Sequence, residues 1–126
     1  MSTELEHLHK AEYNERFYLS FDLDNTPYRD WVVNGIFYSA VHYIESYFAT
    51  QGKHSKNHAD RNAEISGDPN LGRHIYKKFK PLKDDSEYGR YFMKVFTPAE
   101  IKQYIIPNLY AIKGYLQKYI PQIRLA

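Results

Sequence analysis

Two histidines and an arginine lie close together in the polar stretch GKHSKNHADRNAEI, which spans residues 52–65. His54 and His58 are four residues apart, and Arg61 follows His58 by three. Histidine exchanges protons near neutral pH, and arginine stabilises phosphate, so these residue types suit a metal-independent ribonuclease. His58 is the first candidate acid or base, and Arg61 is the candidate phosphate-binding neighbour. The alternative is a solvated turn in which His58 is an ordinary polar residue at a helix start.

The same stretch also predicts an anion-binding helix terminus. Gly52 is expected to end one helix and Ser55 to begin the next, so Lys53, His54 and Lys56 would lie at the new N-terminus. A helix N-terminus carries partial positive charge and binds phosphate or sulfate. Histidines four residues apart on one helix can also chelate a metal. No glutamate lies between the two histidines, however, and we predict no metal or other cofactor.

Further candidates lie outside this stretch. His42 falls within a long apolar segment, either as a buried histidine bonded to a tyrosine or a carbonyl, or as a second candidate catalyst lining a groove. Arg90 and Tyr91 together could bind a phosphate and stack a base. The alternative is that Arg90 pairs with one of the carboxylates at 84–87.

Composition limits the class of protein. The 126 residues carry a formal charge of +2 and no cysteine, which excludes disulfides and thiolate chemistry. The charge is uneven, at −5 over residues 1–50 and +5 over residues 53–83. The basic segment could meet phosphates, or it could only balance the acidic one. No apolar run is long enough to span a membrane, and the first residues lack a signal-peptide core, so a cytoplasmic protein is expected.

The elements that must position these residues are predicted to be helices. Thr3 and Glu6 form a capping box for a first helix that ends near Ser20, and Thr26 and Pro27 open a second that ends near Gln51. The second helix has a wide apolar face and an opposite side of small residues, so it should be the buried centre of the fold. The later helices are expected over residues 56–66, 70–80, 83–94 and 98–119. Pro81 would separate the fourth and fifth of these six helices, and Pro107 would kink the last one near residues 103–107. The chain is thus predicted to be a single all-α domain over residues 1–126, an antiparallel bundle of about five to six helices.

Two segments of this scaffold resemble HEPN domains. The segment of residues 30–61 resembles the second HEPN helix and its following turn, and residues 82–103 resemble a later helix and the next helix start. The matching residues are Phe37, Tyr38, Ser39, Ala40, His42, Gly52, Asn57, His58, Leu82, Gly89, Tyr91, Phe96, Thr97 and Glu100. The resemblance extends in order of elements over about residues 5–119.

The resemblance implies a HEPN-like helical bundle that homodimerises and binds or processes RNA or nucleotides. It also implies a prokaryotic defence or toxin–antitoxin setting, with a nucleotidyltransferase as a partner protein. The chain departs from HEPN ribonucleases at their R-x(4–6)-H motif, because none of its six arginines precedes a histidine at that spacing. The catalytic motif therefore does not carry over. A non-catalytic helical module for dimerisation or protein interaction is the alternative.

Overall fold

The computed structural model describes residues 2–125, and within them all regular structure is helical, which confirms the predicted all-α bundle. Residues 4–116 contain four long helices and a composite last one. In chain order the elements are α1 (Glu4–Leu19), α2 (Arg29–Thr50), α3 (His58–Gly67), α4 (Gly72–Tyr91), α5 (Pro98–Glu100), a π-helical turn (Ile101–Ile105) and α6 (Ile106–Leu116). The short α5, the π turn and α6 follow one another without a break.

The second helix is the centre of the bundle, as its composition predicts. Fourteen of the 22 residues of α2 are buried, whereas only four of the 20 residues of α4 are. Helix α1 packs on α2, and both α4 and α6 also contact α2. Polar side chains on the buried faces of α2 therefore lie next to other helices.

The small-residue side of α2 lets α1 approach closely. A Cβ atom at Gly35 would lie 3.0 Å from the Phe17 ring, so no larger residue fits there without a shift. The Ser39 hydroxyl donates to the Ala11 carbonyl at 3.0 Å, and Ser46 bonds likewise to a carbonyl in the first turn of α1. The predicted close packing on this side is confirmed.

The predicted signals at several helix ends are confirmed. Thr3 with Glu6 and Thr97 with Glu100 both form complete capping boxes. Gly52 follows α2 with a φ of 70°, the left-handed conformation that glycine adopts without strain. These signals are local, since each depends on residues within one turn of the helix end.

The predicted start of α2 is wrong by two residues. The helix begins at Arg29 rather than at Pro27. The Thr26 hydroxyl accepts a hydrogen bond from the Tyr28 amide at 3.1 Å, so it closes a short turn before the helix instead of capping it. The Arg29 side chain donates to the carbonyls of Leu23 and Asp24, which holds this turn against the helix start.

The predicted start of the third helix is also wrong. Asn57, not Ser55, caps α3 by accepting from the Asp60 amide at 2.8 Å. Ser55 is unavailable because its amide and hydroxyl both donate to Glu45, at 3.1 and 3.0 Å. A tertiary contact with α2 therefore overrides the local capping signal.

Pro81 does not divide the next segment into two helices, contrary to prediction. A single helix, α4, continues through it. Ile75 and Phe79, before the proline, and Leu82, after it, are all buried on the same face of α4. Burial of these apolar side chains holds both halves of the helix against the core. It compensates for the backbone hydrogen bond that is missing because Pro81 has no amide hydrogen.

The last helix is interrupted where proline chemistry predicts. The π-helical turn ends at Ile105, and the Ile106 amide donates to the Ile101 carbonyl. Pro107 follows at once and has no amide to donate. The helical stretch ends at Leu116, a few residues before the predicted Tyr119. Within residues 2–125 no helix is both long and apolar enough to cross a bilayer.

Candidate functional site: a polar seam along α2

Three polar side chains lie along one side of α2 at helical spacing. Tyr38, His42 and Glu45 follow one another at intervals of four and three residues, so they share a face. We call these three residues, together with His7, His58, Arg61, Arg90 and Tyr91 around them, the α2 seam. Tyr38 and His42 are half-buried and Glu45 is buried, so the seam is neither core nor open surface. Side chains from α1, α3 and α4 meet it.

His42 is paired with a histidine of α1. Its Nδ1 atom lies 3.0 Å from Nδ1 of His7, and the ring centroids are 5.3 Å apart. Because both atoms are Nδ1, one must carry the proton and donate while the other accepts. The sequence-based alternatives for His42, a bond to a tyrosine or to a backbone carbonyl, are thus both wrong. The pairing requires at least one neutral imidazole.

The two imidazoles are both held toward the neutral form. Burial, together with the charges of His7, Lys10 and Arg61, lowers the pKa of His42 from 6.5 to about 4. Burial also lowers the pKa of His7, and nearby Glu45 opposes that effect. At neutral pH this pair is therefore uncharged and joins α1 to α2 by a hydrogen bond.

Glu45 joins α2 to α3. Besides its two bonds from Ser55, it lies 3.6 Å from the Arg61 Nε atom in a largely buried ion pair. The Arg61 side chain is only 11% exposed. Arg61, predicted as a phosphate-binding residue, therefore already has a carboxylate partner. Its remaining guanidinium nitrogens are directed elsewhere.

One of those nitrogens contacts His58. Arg61 Nη1 lies 2.9 Å from His58 Nδ1, so the imidazole accepts at Nδ1. The His58 ring packs near the Phe37 and Tyr38 rings, with centroid distances of 5.8 and 6.5 Å. Partial burial, followed by the charges of Arg61 and Arg90, lowers the pKa of His58. The fold thus brings together His58 and Arg61, the two residues that sequence analysis ranked as its leading pair.

Arg90 of α4 reaches the same tyrosine from another helix. Its guanidinium carbon lies 6.0 Å from the Tyr38 ring centroid and 5.0 Å from that of Tyr91, within the range of cation–π contact. The Nε atom of Arg90 donates to the Ser86 carbonyl at 3.3 Å. Arg90 and Tyr91, predicted to act together, do lie together.

The predicted alternative for Arg90, a salt bridge to a nearby carboxylate, is wrong. Among residues 2–125 each of those carboxylates pairs with a lysine instead. The pairs are Lys80 with Asp84, Lys94 with Asp85 and Lys83 with Glu87, at 2.6, 3.1 and 2.9 Å. The Arg90 guanidinium consequently has aromatic rings, and no carboxylate, as its charge partners.

The other predicted phosphate-binding residues are less well placed. Lys53 and Lys56 are exposed in the loop between α2 and α3, and His54 is half-buried there, ahead of the first turn of α3. The α3 terminus already holds a carboxylate, because Asp60 accepts from the Lys56 amide at 2.9 Å. An internal carboxylate at this position reduces the attraction for an external anion.

A chelating pair of histidines does not form on α3. His54 precedes the helix while His58 is its first residue, so the two do not share a helix face. Among residues 2–125 no cluster of three or more histidine, aspartate or glutamate side chains is arranged to hold a metal ion.

Three residues of the site, His7, Glu45 and Ser55, were not predicted from the sequence to belong to it. Glu45 had a readable signal, since it is a lone carboxylate inside a long apolar helix and requires a partner. His7 and Ser55 had none, because their contacts with α2 are set by how the helices pack. The site therefore contains one pair of neutral histidines, one buried ion pair, and one histidine–arginine–tyrosine cluster.

The geometry defines the molecule as an all-α bundle with a polar seam between its helices. Comparison with known proteins adds no relative, since no protein-family model, no curated protein and no solved structure matches this chain.

Proposed function

We propose that this protein is a HEPN-like domain that binds single-stranded RNA or nucleotides at the α2 seam. The observation that carries the proposal is the cluster of His58, Tyr38 and Arg90, drawn from three helices onto one surface. It combines a neutral imidazole, an aromatic ring and a cation without a carboxylate partner. These are the groups that contact a phosphate and a stacked base.

Local charge supports phosphate as the ligand. Besides burial, Arg61, Arg90 and Lys83 all lower the pKa of His58. Arg61 and Lys83 are paired with Glu45 and Glu87, so within residues 2–125 Arg90 is the cation of this group without a carboxylate partner. The exposed ring of Tyr91 beside Arg90 offers a face on which a base could stack. Binding through these groups would depend strongly on salt, because phosphate contacts release counterions.

Processing of the bound RNA is the further part of the proposal. Burial and the nearby cations lower the pKa of His58 and favour its neutral form. Its Nδ1 atom accepts from Arg61, so it could take a proton from a ribose hydroxyl there once a bound phosphate accepts the Arg61 donor instead. His42 is less suited to act as the acid, since its ring is occupied by His7 and its pKa is about 4. Binding is therefore the activity that the geometry supports best, and His58 is the residue that cleavage would require.

The proposal includes a homodimer and a prokaryotic defence or toxin–antitoxin role with a nucleotidyltransferase partner, both of which rest on the HEPN resemblance. Several aromatic side chains are exposed and available to a second copy, among them Tyr13, Tyr28 and Trp31. Light scattering at high micromolar concentration should give twice the mass of one chain. A monomer there would remove the homodimer from the proposal and leave RNA binding untouched.

A labelled single-stranded RNA titrated over roughly 50 to 200 mM salt tests the proposal. Affinity should fall with salt, and Arg90→Ala should weaken binding about tenfold and flatten the salt slope by ~0.7. Arg73→Ala is the matched control, because Arg73 is an exposed arginine at the other end of α4.

Two outcomes would contradict the proposal. An equal effect of the two variants would place RNA on the general basic surface instead of the seam. No binding at any salt would favour the non-catalytic interaction module. That alternative is supported by exposed apolar side chains after α4, chiefly Phe92, Met93 and Val95.

A further inference from the structure

A cleft separates the start of α2 from the segment that follows α4. It has a volume of about 430 Å³. Pro27, Arg29 and Asp30 line one side, and residues 93–96 line the other. The buried Phe96 ring packs against Gly89 at its base, where an added Cβ would lie 3.0 Å from the ring.

The rim of this cleft is apolar and open to solvent. Met93 is 87% exposed and Val95 is 83% exposed, and Phe92 beside them is 72% exposed. Adjacent apolar side chains exposed to this degree are typical of interaction sites. None of the three is part of the core or of the α2 seam.

The backbone at Met93, one of these exposed residues, is strained. Met93 has a φ of 56°, and it is the only residue other than glycine with positive φ among residues 2–125. The Lys94 amide donates to the Tyr88 carbonyl at 3.0 Å, so Met93 occupies the left-handed position of a helix C-cap. Glycine fills that position after α2, at Gly52, without strain. Methionine here costs stability and contributes no burial, so its side chain needs another explanation.

The charges of the cleft indicate what its occupant carries. Arg29, Arg90 and Lys94 line it with a single carboxylate, Asp30. Lys94 is paired with Asp85 and a glutamate, whereas Arg29 is held by backbone carbonyls and Arg90 rests on aromatic rings. In the part of the chain that the structure describes, Arg29 and Arg90 are therefore the cations of the cleft without a carboxylate partner. Positive charge beside exposed methionine and valine complements acidic and apolar groups together.

We propose that this cleft docks a short peptide segment of another protein in which acidic side chains alternate with apolar ones. Apolar residues of the segment would pack on Met93 and Val95, and its carboxylates would meet Arg29 and Arg90. Because Arg90 also belongs to the proposed RNA site, the peptide and RNA would compete for it. Methionine suits such a surface because its flexible thioether adapts to a partner. Nucleic acid fits less well, since two of the three apolar side chains have no flat ring for a base to stack on.

The chain contains only two methionines, Met1 and Met93, so a protein labelled with ¹³C at its methionine methyl groups reports on the cleft directly. The probes are three synthetic peptides: one of alternating glutamate and leucine, a second with lysine for glutamate, and a third with serine for leucine. Only the first should shift the Met93 methyl signal saturably.

Other responses would overturn the proposal. Equal shifts from the lysine peptide would show that charge plays no part, and no shift from any peptide would show that peptides do not dock there. A shift caused by single-stranded RNA alone would assign the cleft to nucleic acid. A shift caused by raising the protein concentration alone would assign it to a second copy of this chain.

Variants separate binding from folding. Met93→Gly should raise the melting temperature by about 3 °C, because glycine removes the left-handed strain. The same variant should weaken binding of the glutamate–leucine peptide, now carrying a fluorescent label, about tenfold, and Val95→Ser should weaken it similarly without the stabilisation. Leu19→Ser is the control, since Leu19 is an exposed apolar residue at the end of α1. Stabilisation by Met93→Gly with unchanged peptide affinity would refute the role of Met93 in docking.

Discussion

Two polar clusters lie on neighbouring faces of α2, and they differ in how completely their charges are neutralised. In the buried cluster, Glu15 accepts from Lys113 Nζ at 2.8 Å and from the Tyr43 hydroxyl. The Lys113 and Glu15 side chains are only 4% and 11% exposed. In the α2 seam, by contrast, His42 is neutral and half-buried, and Arg90 rests on aromatic rings without a carboxylate.

This difference shows which cluster serves the fold and which is available to a ligand. Both oxygens of the Glu15 carboxylate have a donor, Lys113 Nζ and the Tyr43 hydroxyl, so the charges of the buried cluster compensate each other. Its pairing also raises the pKa of Tyr43, through burial and the hydrogen bond with Glu15. In the seam, Arg90 lies on the Tyr38 ring without a carboxylate partner among the described residues, and His58 is exposed. A group that is charged yet uncompensated at the surface is a better candidate for recognition.

The largest expected effect comes from breaking the buried cluster. Lys113→Met leaves the Glu15 carboxylate buried without its cation, which should destabilise the fold by about 3–5 kcal/mol. Urea denaturation measures the change. Lys102→Met is the matched control, because Lys102 pairs with Asp24 at 3.2 Å where both side chains are more than half exposed. That control should change stability by less than ~1 kcal/mol.

A double variant sharpens this test. Glu15→Leu combined with Lys113→Met removes both charges and should recover most of the lost stability, since an apolar pair of similar volume is tolerated in a core. A Lys113→Met variant as stable as the Lys102→Met control would show that the buried pair contributes nothing, and the contrast between the two clusters would collapse.

The sequence alone predicts those features of the two clusters that depend on residues close together in the chain. Helix ends at Thr3, Gly52 and Thr97 follow from local capping chemistry. The helical spacing of His42 on the side opposite the wide apolar face is likewise readable, because periodicity alone sets it. The fold class follows from the same local rules.

The partners of these side chains could not be predicted. Glu15 and Lys113 are 98 residues apart in the chain, and His7 and His42 are 35 apart. Such contacts depend on how the helices pack, which no single stretch encodes. For the same reason Pro81 was expected to end a helix that tertiary burial preserves.

A smaller effect concerns pH and the histidine pair of the seam. The pKa of His42 is 6.5 ordinarily and about 4 in the folded protein, so between these values the unfolded chain binds more protons. Stability is therefore greatest above about pH 6.5 and falls as the pH is lowered toward 4. The lowered pKa values of His7 and His58 act in the same direction. Because His42 is partly exposed, its share should stay well below ~1.4 kcal/mol per pH unit.

Urea midpoints at pH 7, 6 and 5 would measure this dependence. Carboxylates also titrate at low pH, so the informative quantity is the difference between the original protein and His42→Asn. Asparagine keeps a polar atom near the position of Nδ1 but cannot be protonated, and this variant should lose less stability on acidification. His9→Asn, at an exposed position of α1, is the control. Identical pH dependence for all three proteins would contradict a neutral, coupled His7–His42 pair.

The smallest effect on stability is expected at His58, although its effect on function should be the most specific. His58 is exposed and is the first residue of α3, so His58→Ala should change the free energy of unfolding by no more than ~0.5 kcal/mol. Any RNA cleavage should be abolished, because the neutral imidazole is the candidate base and Arg61 cannot replace it. RNA affinity should fall only about threefold, since Arg61 and Arg90 both remain.

The three readouts of His58→Ala separate the interpretations of the seam. His74→Ala is the control, because His74 is an exposed histidine that stacks on Tyr115, away from the seam. Unfolding of His58→Ala would make His58 a structural residue that holds α3 against Phe37, through the ring contact at 5.8 Å. Unchanged cleavage in an intact fold would exclude His58 as the base. Arg90 and Tyr91 would then be the remaining candidates for a functional role in the seam. The difference from the buried cluster would depend only on the uncompensated charge of Arg90.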